Sequence, residues 1–146
     1  MLSSALDRAP PYGKPLTLAQ AKTMMRAAEG VAEANAWPVA IAIADAAGDV
    51  VLALKRDDTQ HSSLAIATGK ALTAVNFRRP TKVFQDGIAA GGVGLRFLAV
   101  PGVTPLEGGF PIVLDGRVIG GVGVSGVLST QDTEVALAAL KALDAG

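Results

Sequence analysis

Residues 108–126 read Gly108-Gly-Phe-Pro-Ile-Val-Leu-Asp-Gly-Arg-Val-Ile-Gly-Gly-Val-Gly-Val-Ser-Gly126, and this stretch decides the fold. Asp115-Gly116 is a two-residue turn signal between apolar runs, which predicts a hairpin with strands at about 111–114 and 117–124. Seven of the 17 glycines of the chain lie in it. Glycine weakens a strand unless the backbone bends sharply or passes close to another group. We therefore expect a ligand or another chain to lie against this hairpin.

The remaining segments alternate between helical and strand-like patterns. Thr17 and Gln20 form a predicted capping box for a helix at about 18–35, where apolar residues recur at helical spacing. Apolar runs at about 39–44 and 50–54 predict a second hairpin. The other predicted elements are a helix from Ser62 or Ser63 to about Val75, a helix capped by Thr81 and ending near Ala89, a short strand Phe97–Val100, and a last helix capped by Thr130.

The predicted order of elements, α-β-β-α-α-β-β-β-α, places the chain in the α+β class. Two hairpins imply an antiparallel sheet, because such short turns cannot make parallel crossovers. Helices on the faces of a central sheet of about five strands would form a layered sandwich. We expect residues 1–15 to be an extended or poorly ordered N-terminal arm and residues 16–146 to be a single domain.

The composition is apolar for a chain of 146 residues. Half of the residues are hydrophobic but only 4% are aromatic, so small side chains must build the core. The mean hydropathy is +0.40 and 18% of the residues are charged. No run of about 18 uncharged apolar residues occurs, which argues against a membrane-spanning helix. We therefore expect apolar surface to be buried between subunits of a homo-oligomer.

Charge and cysteine content exclude several classes of function. The chain has 13 basic and 13 acidic residues and no basic stripe, so a nucleic-acid partner is not expected. The absence of cysteine excludes disulfides, thiolate nucleophiles and Cys-ligated metal centres. The first residues lack the apolar core of a signal peptide, which favours a cytoplasmic location.

Several short motifs occur in a characteristic order. They are Ala44-Asp-Ala-Ala-Gly-Asp-Val-Val-Leu52, Lys55-Arg-Asp-Asp58, Ala67-Thr-Gly-Lys-Ala-Leu-Thr-Ala74, Gly108-Gly-Phe-Pro-Ile112, Val118-Ile-Gly-Gly-Val-Gly-Val-Ser-Gly126 and Gln131-Asp-Thr-Glu134. In this order they resemble the GlcG/HbpS family, whose domain also occurs at the C-terminus of PduO-type corrinoid adenosyltransferases. The resemblance runs from about Leu16 to Leu140. It implies a profilin-like sandwich that assembles into dimers or larger oligomers up to octamers, and some members of the family bind haem.

Two residues are candidates for acid–base or metal chemistry. His61, the only histidine, lies in a polar segment between a predicted strand and a helix. It is a candidate haem-iron ligand or general base, and the alternative is an exposed loop histidine. Glu107 precedes the Gly108-Gly109 pair and is a candidate general acid or base, the alternative being an exposed loop carboxylate.

Two cations and two glycines are candidate ligand-binding residues. Lys70, on a helix of small residues, would hold an anionic group, or it would pair with a carboxylate and pin the helix to the sheet. Arg56 would clamp a carboxylate with two hydrogen bonds, or it would pair with a nearby aspartate. Gly108 and Gly109 would let a ligand approach the backbone. Asp132 and Glu134, at the start of the last helix, are explained sufficiently by capping.

Three functions fit these features. The first, which we favour, is an oligomeric small-molecule-binding protein for haem or a related tetrapyrrole. The second is an enzyme of the lyase or isomerase type that acts on a small carboxylated metabolite, with His61 and Glu107 moving the proton. The third is a non-catalytic accessory subunit. The glycine motif of residues 121–126 does not open a helix after a parallel strand, so a dinucleotide site is excluded.

Overall fold

The structure, a computed structural model, describes residues 9–145. Within that range the chain forms one four-stranded sheet with α-helices on both faces. In chain order the elements are α1 (Leu18–Ala34), β1 (Ala40–Asp45), β2 (Val50–Lys55), α2 (Ser63–Phe77), α3 (Lys82–Ala89), a 3-10 helix (Gly92–Ala99), β3 (Gly109–Leu114), β4 (Arg117–Ser125) and α4 (Ser129–Ala145).

The sheet is antiparallel throughout, with the strand order β2-β1-β4-β3. This confirms the α+β class and both predicted hairpins. Asp115 and Gly116 have φ angles of 51° and 75°, which is the mirror-image turn that two-residue hairpins favour. None of the helices in the described range is both long enough and apolar enough to cross a membrane.

The prediction of about five strands is wrong, because residues 97–99 of the predicted strand 97–100 belong to the 3-10 helix and Val100 follows as its cap. Phe97 packs edge-on against Phe84 of α3, with the ring centroids 5.0 Å apart. Gly94 lies directly against the backbone of Gly87. A short apolar run can pack on a helix as readily as it pairs in a sheet, and periodicity does not separate the two.

β1 carries a different kind of side chain on each face of the sheet. Ile41 and Ile43 point to the side covered by α1 and α4, where they join the main hydrophobic core. Ala40, Ala42 and Ala44 point to the other side and pack against alanines of α2. Because alternate residues of a strand face opposite sides, this alanine face lets α2 lie unusually close to the sheet.

The glycines of β3 and β4 extend that small-residue face. A Cβ atom at Gly123 would overlap the carbonyl oxygen of Ala67, and one at Gly121 would overlap that of Ala71. A Cβ atom at Gly109 would lie 2.6 Å from the carbonyl oxygen of Lys70. The partner that the glycine-rich hairpin requires is therefore the backbone of α2.

Residues 11–16 run beside β4 beyond the end of β1. Tyr12 forms a parallel bridge with Val118, and the amide of Leu16 donates to the carbonyl of Ile119. The hydroxyl of Tyr12 donates to the carbonyl of Val75 at 2.6 Å, close to the C-terminal end of α2. These contacts tie the segment before α1 to both the sheet and α2. Residues 1–8 of the predicted arm lie outside the described residues.

The predicted helix starts have mixed outcomes. The capping box of Thr17 and Gln20 is confirmed. Thr81 precedes α3, but its side chain makes no capping hydrogen bond, because its hydroxyl instead accepts from the amide of Gly109 at 2.9 Å. Thr130 is not the cap of the last helix, because α4 already begins at Ser129. Ser62 precedes α2 without a side-chain capping bond.

Replacing Thr81 by Val should reduce the free energy of unfolding by about 1–3 kcal/mol, because the buried amide of Gly109 then has no acceptor. Urea denaturation of the two proteins measures this loss. Thr23→Val is the matched control, since the Thr23 hydroxyl is exposed and bonds only within α1, and it should change stability by less than about 0.5 kcal/mol. Equal stabilities of Thr81→Val and Thr23→Val would contradict the role of the Thr81 hydroxyl as the acceptor for the Gly109 amide.

Candidate functional site

Lys70 lies on the face of α2 that contacts the glycine strands, and its side chain is only 3% exposed. Its Nζ atom donates to the carbonyl oxygen of Val124 at 2.7 Å and to Oδ2 of Asp132 at 3.3 Å. One side chain therefore connects α2, the end of β4 and the first turn of α4. These contacts match the second alternative for Lys70, in which it pairs with a carboxylate and pins the helix.

Asp132 is the residue of this cluster whose pairing with Lys70 the sequence pattern did not reveal. It is 3% exposed, and its second carboxylate oxygen accepts from the amide of Val127 at 3.2 Å. Its carboxylate thus holds the turn that leads into α4, as capping predicts, and also neutralises Lys70. The available signal was Lys70 itself, because a lysine on a helix of small buried residues requires a buried counter-ion.

Burial shifts the pKa of Lys70 and the pKa of Asp132 more than the charge of the partner residue does. Burial lowers the pKa of Lys70 from its ordinary value, and the charge and hydrogen bond of Asp132 act in the opposite direction. Burial raises the pKa of Asp132, while the charge of Lys70 and the bond from Val127 lower it. The loss of hydration therefore affects the pKa of each group more than the partner's charge does, which is typical of an ion pair buried inside a protein.

The loop at Glu107 closes over this ion pair. Gly108 has a φ of 122°, and a Cβ atom there would lie 2.9 Å from both Nζ of Lys70 and the carbonyl oxygen of Val124. Glu107 is half-buried, and its Oε2 atom accepts from the hydroxyl of Thr133 at 2.9 Å. Gly108 and Gly109 thus make their close contacts with the protein itself, and the Glu107 carboxylate lies at the outer side of the cluster.

His61 and Arg56 lie in the connection between β2 and α2. His61 is exposed, and its ring has no hydrogen-bond partner among residues 9–145. Arg56 is half-buried and forms no ion pair with any residue in that range, so the expected aspartate pairing is not seen. It lines an open cavity of about 560 Å³, whose other lining residues are Glu29, Ala36, Trp37, Pro38, Lys55, Asp57 and Asp58.

The structure therefore groups the predicted site residues into two sets. Lys70, Glu107, Gly108 and Gly109 form one cluster with Asp132. His61 and Arg56 belong to the β2–α2 connection and contribute no hydrogen bond or ion pair to that cluster. Across the described part of the chain no three His, Asp or Glu side chains converge into a group that could hold a metal ion.

Comparison with known proteins identifies the family. The family model described as "Haem degrading protein HbpS-like" matches residues 16–141. GlcG from Escherichia coli K12 is 38% identical over 110 residues, which are 75% of this chain and 81% of GlcG. The chain belongs to the GlcG/HbpS family. This confirms the resemblance inferred from the motifs.

Two solved structures extend this comparison to the fold of the GlcG/HbpS domain. The protein ORFY from Klebsiella pneumoniae superposes with a TM-score of 0.85 at 29% identity and covers 92% of this chain and 94% of its own. The PduOC:haem complex superposes with a TM-score of 0.80 at 30% identity and covers 88% of this chain and 94% of its own. The four-stranded sheet and its helices are thus shared by relatives of this family.

In this GlcG/HbpS-family chain, Lys70→Met should cost about 3–5 kcal/mol of folding stability at neutral pH, because Asp132 is left charged, buried and without its partner. The double variant Lys70→Met/Asp132→Leu should lose much less than the sum of the two single losses. Chemical denaturation of all four proteins gives this coupling directly. Additive losses would show that the two side chains do not act as a pair.

The deficit of Lys70→Met should also shrink as the pH falls from 7 to about 5. The folded-state pKa of Asp132 is raised above its unfolded value, and losing Lys70 raises it further. The folded state then binds more protons than the unfolded state in this window, so lowering the pH stabilises the variant. A deficit that stays constant or grows with falling pH would contradict a buried, unpaired Asp132 carboxylate.

Proposed function

We propose that this protein binds haem or a related tetrapyrrole, with His61 as the iron ligand. The observation that carries the proposal is the likeness to PduOC, whose solved structure is a haem complex, over 88% of this chain. The imidazole of histidine is a common axial ligand of haem iron. His61 supports the role because it is exposed and its ring has no hydrogen-bond partner in residues 9–145.

The surroundings of His61 provide an apolar surface and a cation. Leu64, in the first turn of α2, is 38% exposed, and Ala65 beside it is exposed as well. Arg56, five residues before His61, has a guanidinium group that suits a propionate carboxylate. A flat apolar ring with anionic arms matches this combination of groups.

A loop that packs on α2 adds one more exposed apolar side chain. The amide of Thr104 donates to the hydroxyl of Thr73 at 2.9 Å, and Thr104 also packs on Gly69. The same loop exposes Leu106. We expect Leu64 and Leu106 to contribute apolar contacts of the kind that a tetrapyrrole requires.

We also propose that the protein acts as a homo-oligomer, between the dimer and the octamer that the family resemblance implies, in the cytoplasm. The support is an exposed group of large apolar side chains on and near the 3-10 helix. Val93 is 77% exposed, Leu98 is 66% exposed and Leu95 is 48% exposed. Apolar side chains at this density are more typical of a subunit contact than of free surface.

The enzyme alternative is supported by one observation, the half-buried carboxylate of Glu107 beside the Lys70–Asp132 pair. Lys70 and Asp132 bind each other there, so Glu107 is the group that remains for proton transfer. Within residues 9–145 His61 forms no hydrogen bond or ion pair with this cluster, so the pairing of His61 with Glu107 in one reaction has less support than haem ligation by His61. The accessory-subunit alternative requires neither group to bind anything.

Hemin titration should produce a saturable shift of the Soret band in the wild-type protein, and His61→Ala should weaken the affinity at least about tenfold, because the iron loses its nitrogen ligand. Gln60→Ala is the matched control, since Gln60 is exposed in the same turn. It should bind hemin as the wild type does. Native mass spectrometry of the same samples gives the number of subunits per haem.

The outcomes separate the parts of the proposal. No saturable Soret shift in the wild-type protein would overturn haem binding. A saturable shift that is the same in His61→Ala and Gln60→Ala would leave haem binding in place and overturn His61 as the ligand.

A further inference from the structure

Arg79, between α2 and α3, is a buried arginine that pairs with no carboxylate among residues 9–145. It is 7% exposed, and within the same range its buried Nε atom has no hydrogen-bond partner. In the described residues it takes part in neither of the two ion pairs. An unpaired buried charge is costly, and an unsatisfied buried polar group in a native protein calls for an explanation. We propose that Arg79 is the core of a binding site for a small oxyanion, either a carboxylate or a phosphate.

The guanidinium group of the neighbouring Arg78 does have partners. Arg78 caps α2 in the left-handed conformation, with φ 57° and ψ 40°. Its Nη1 atom donates to the carbonyl of Pro10 at 3.2 Å, and its guanidinium lies 5.2 Å from the centre of the Tyr12 ring. Among residues 9–145 the buried Nε atom of Arg79, the next residue, has no such hydrogen bond.

The local electrostatics favour an anion. Burial lowers the pKa of Arg79, the positive charge of Arg78 lowers it further, and only Tyr12 acts in the opposite direction. Among the described residues no carboxylate contributes to this balance. A guanidinium does not lose its proton in proteins, so the charge remains and the missing element is an anion.

The exposure of Arg79 fits a small ligand. Nε is buried, so the remaining 7% exposure leaves only a limited part of the side chain within reach of solvent. A guanidinium edge binds the two oxygens of a carboxylate or a phosphate through parallel hydrogen bonds. The closed surroundings select for one small oxyanion group, either free or at the end of a larger molecule. This inference does not depend on haem binding.

Thermal denaturation in acetate and in phosphate, each compared with chloride at the same ionic strength, tests the site. At about tenfold excess over its dissociation constant, the bound anion should raise the Tm of the wild type by about 4 °C. Arg79→Met should abolish this increase and Arg79→Lys should reduce it, because lysine lacks the planar fork. Arg26→Met, at an exposed arginine of α1, is the matched control and should keep the increase. His61→Ala should keep it as well, which separates this site from the haem proposal.

The comparison of acetate with phosphate identifies which oxyanion the site takes. The proposal is overturned if neither anion raises the Tm of the wild type above the chloride value. It is also overturned if Arg79→Met responds as strongly as Arg26→Met does. If Arg79→Met does not fold, isothermal titration of Arg79→Lys with the preferred anion decides instead, and an affinity equal to that of the wild type overturns the proposal.

Discussion

The close contact between the backbone of α2 and the glycines of β3 and β4 is the constraint on which the rest of the structure depends. Three backbone carbonyls of one helix face, those of Ala67, Lys70 and Ala71, lie where the Cβ atoms of strand residues would otherwise stand. Glycine has no Cβ atom, so each of Gly109, Gly121 and Gly123 avoids one such overlap. The alanines of β1 complete the flat surface, so a helix and a sheet meet with almost no side chains between them.

This contact determines where the charged groups can lie. Because α2 sits so close to the sheet, the Lys70 side chain reaches the carbonyl of Val124 near the end of β4 and the carboxylate of Asp132. The loop at Gly108 must then approach the ammonium group without a side chain of its own. Desolvation disfavours both charges, and each charge offsets part of that cost for the other.

The sequence was sufficient to predict the elements whose signals are local. The capping box at Thr17 and the turn at Asp115-Gly116 depend on neighbouring residues, and both are confirmed. Phe97 was assigned to the wrong element because its partner, Phe84, lies on another helix. Threonine is a residue type that often caps a helix, but the hydroxyl of Thr81 instead accepts a hydrogen bond from the distant amide of Gly109.

The sequence was sufficient to select candidate site residues by their type, but not to predict which of them lie together in the folded chain. The motif around Lys70 marked a lysine that needs a partner, and Asp132 lies 62 residues further along the chain, so only the packing of α4 brings the two together. The buried Nε atom of Arg79, which has no hydrogen-bond partner in the described part of the chain, carries no signal in sequence either, because burial and hydrogen bonding are properties of the folded chain. His61 remains a predicted iron ligand or acid–base residue, and Arg56 remains a predicted ligand-binding residue.

The free energy of unfolding of Gly123→Ala, compared with that of Gly30→Ala, tests the central claim most directly. A methyl group at Gly123 would overlap the carbonyl of Ala67 and lie 2.6 Å from the amide nitrogen of Ala71, so α2 must move away from the sheet. We predict a loss of about 2–3 kcal/mol or more. Gly30 lies in α1 with open space around its Cβ position, and alanine there should stabilise the helix by about 0.5–1 kcal/mol. A Gly123→Ala protein as stable as the wild type would contradict the claim that the fold depends on close contact between the backbone of α2 and the glycines of the sheet.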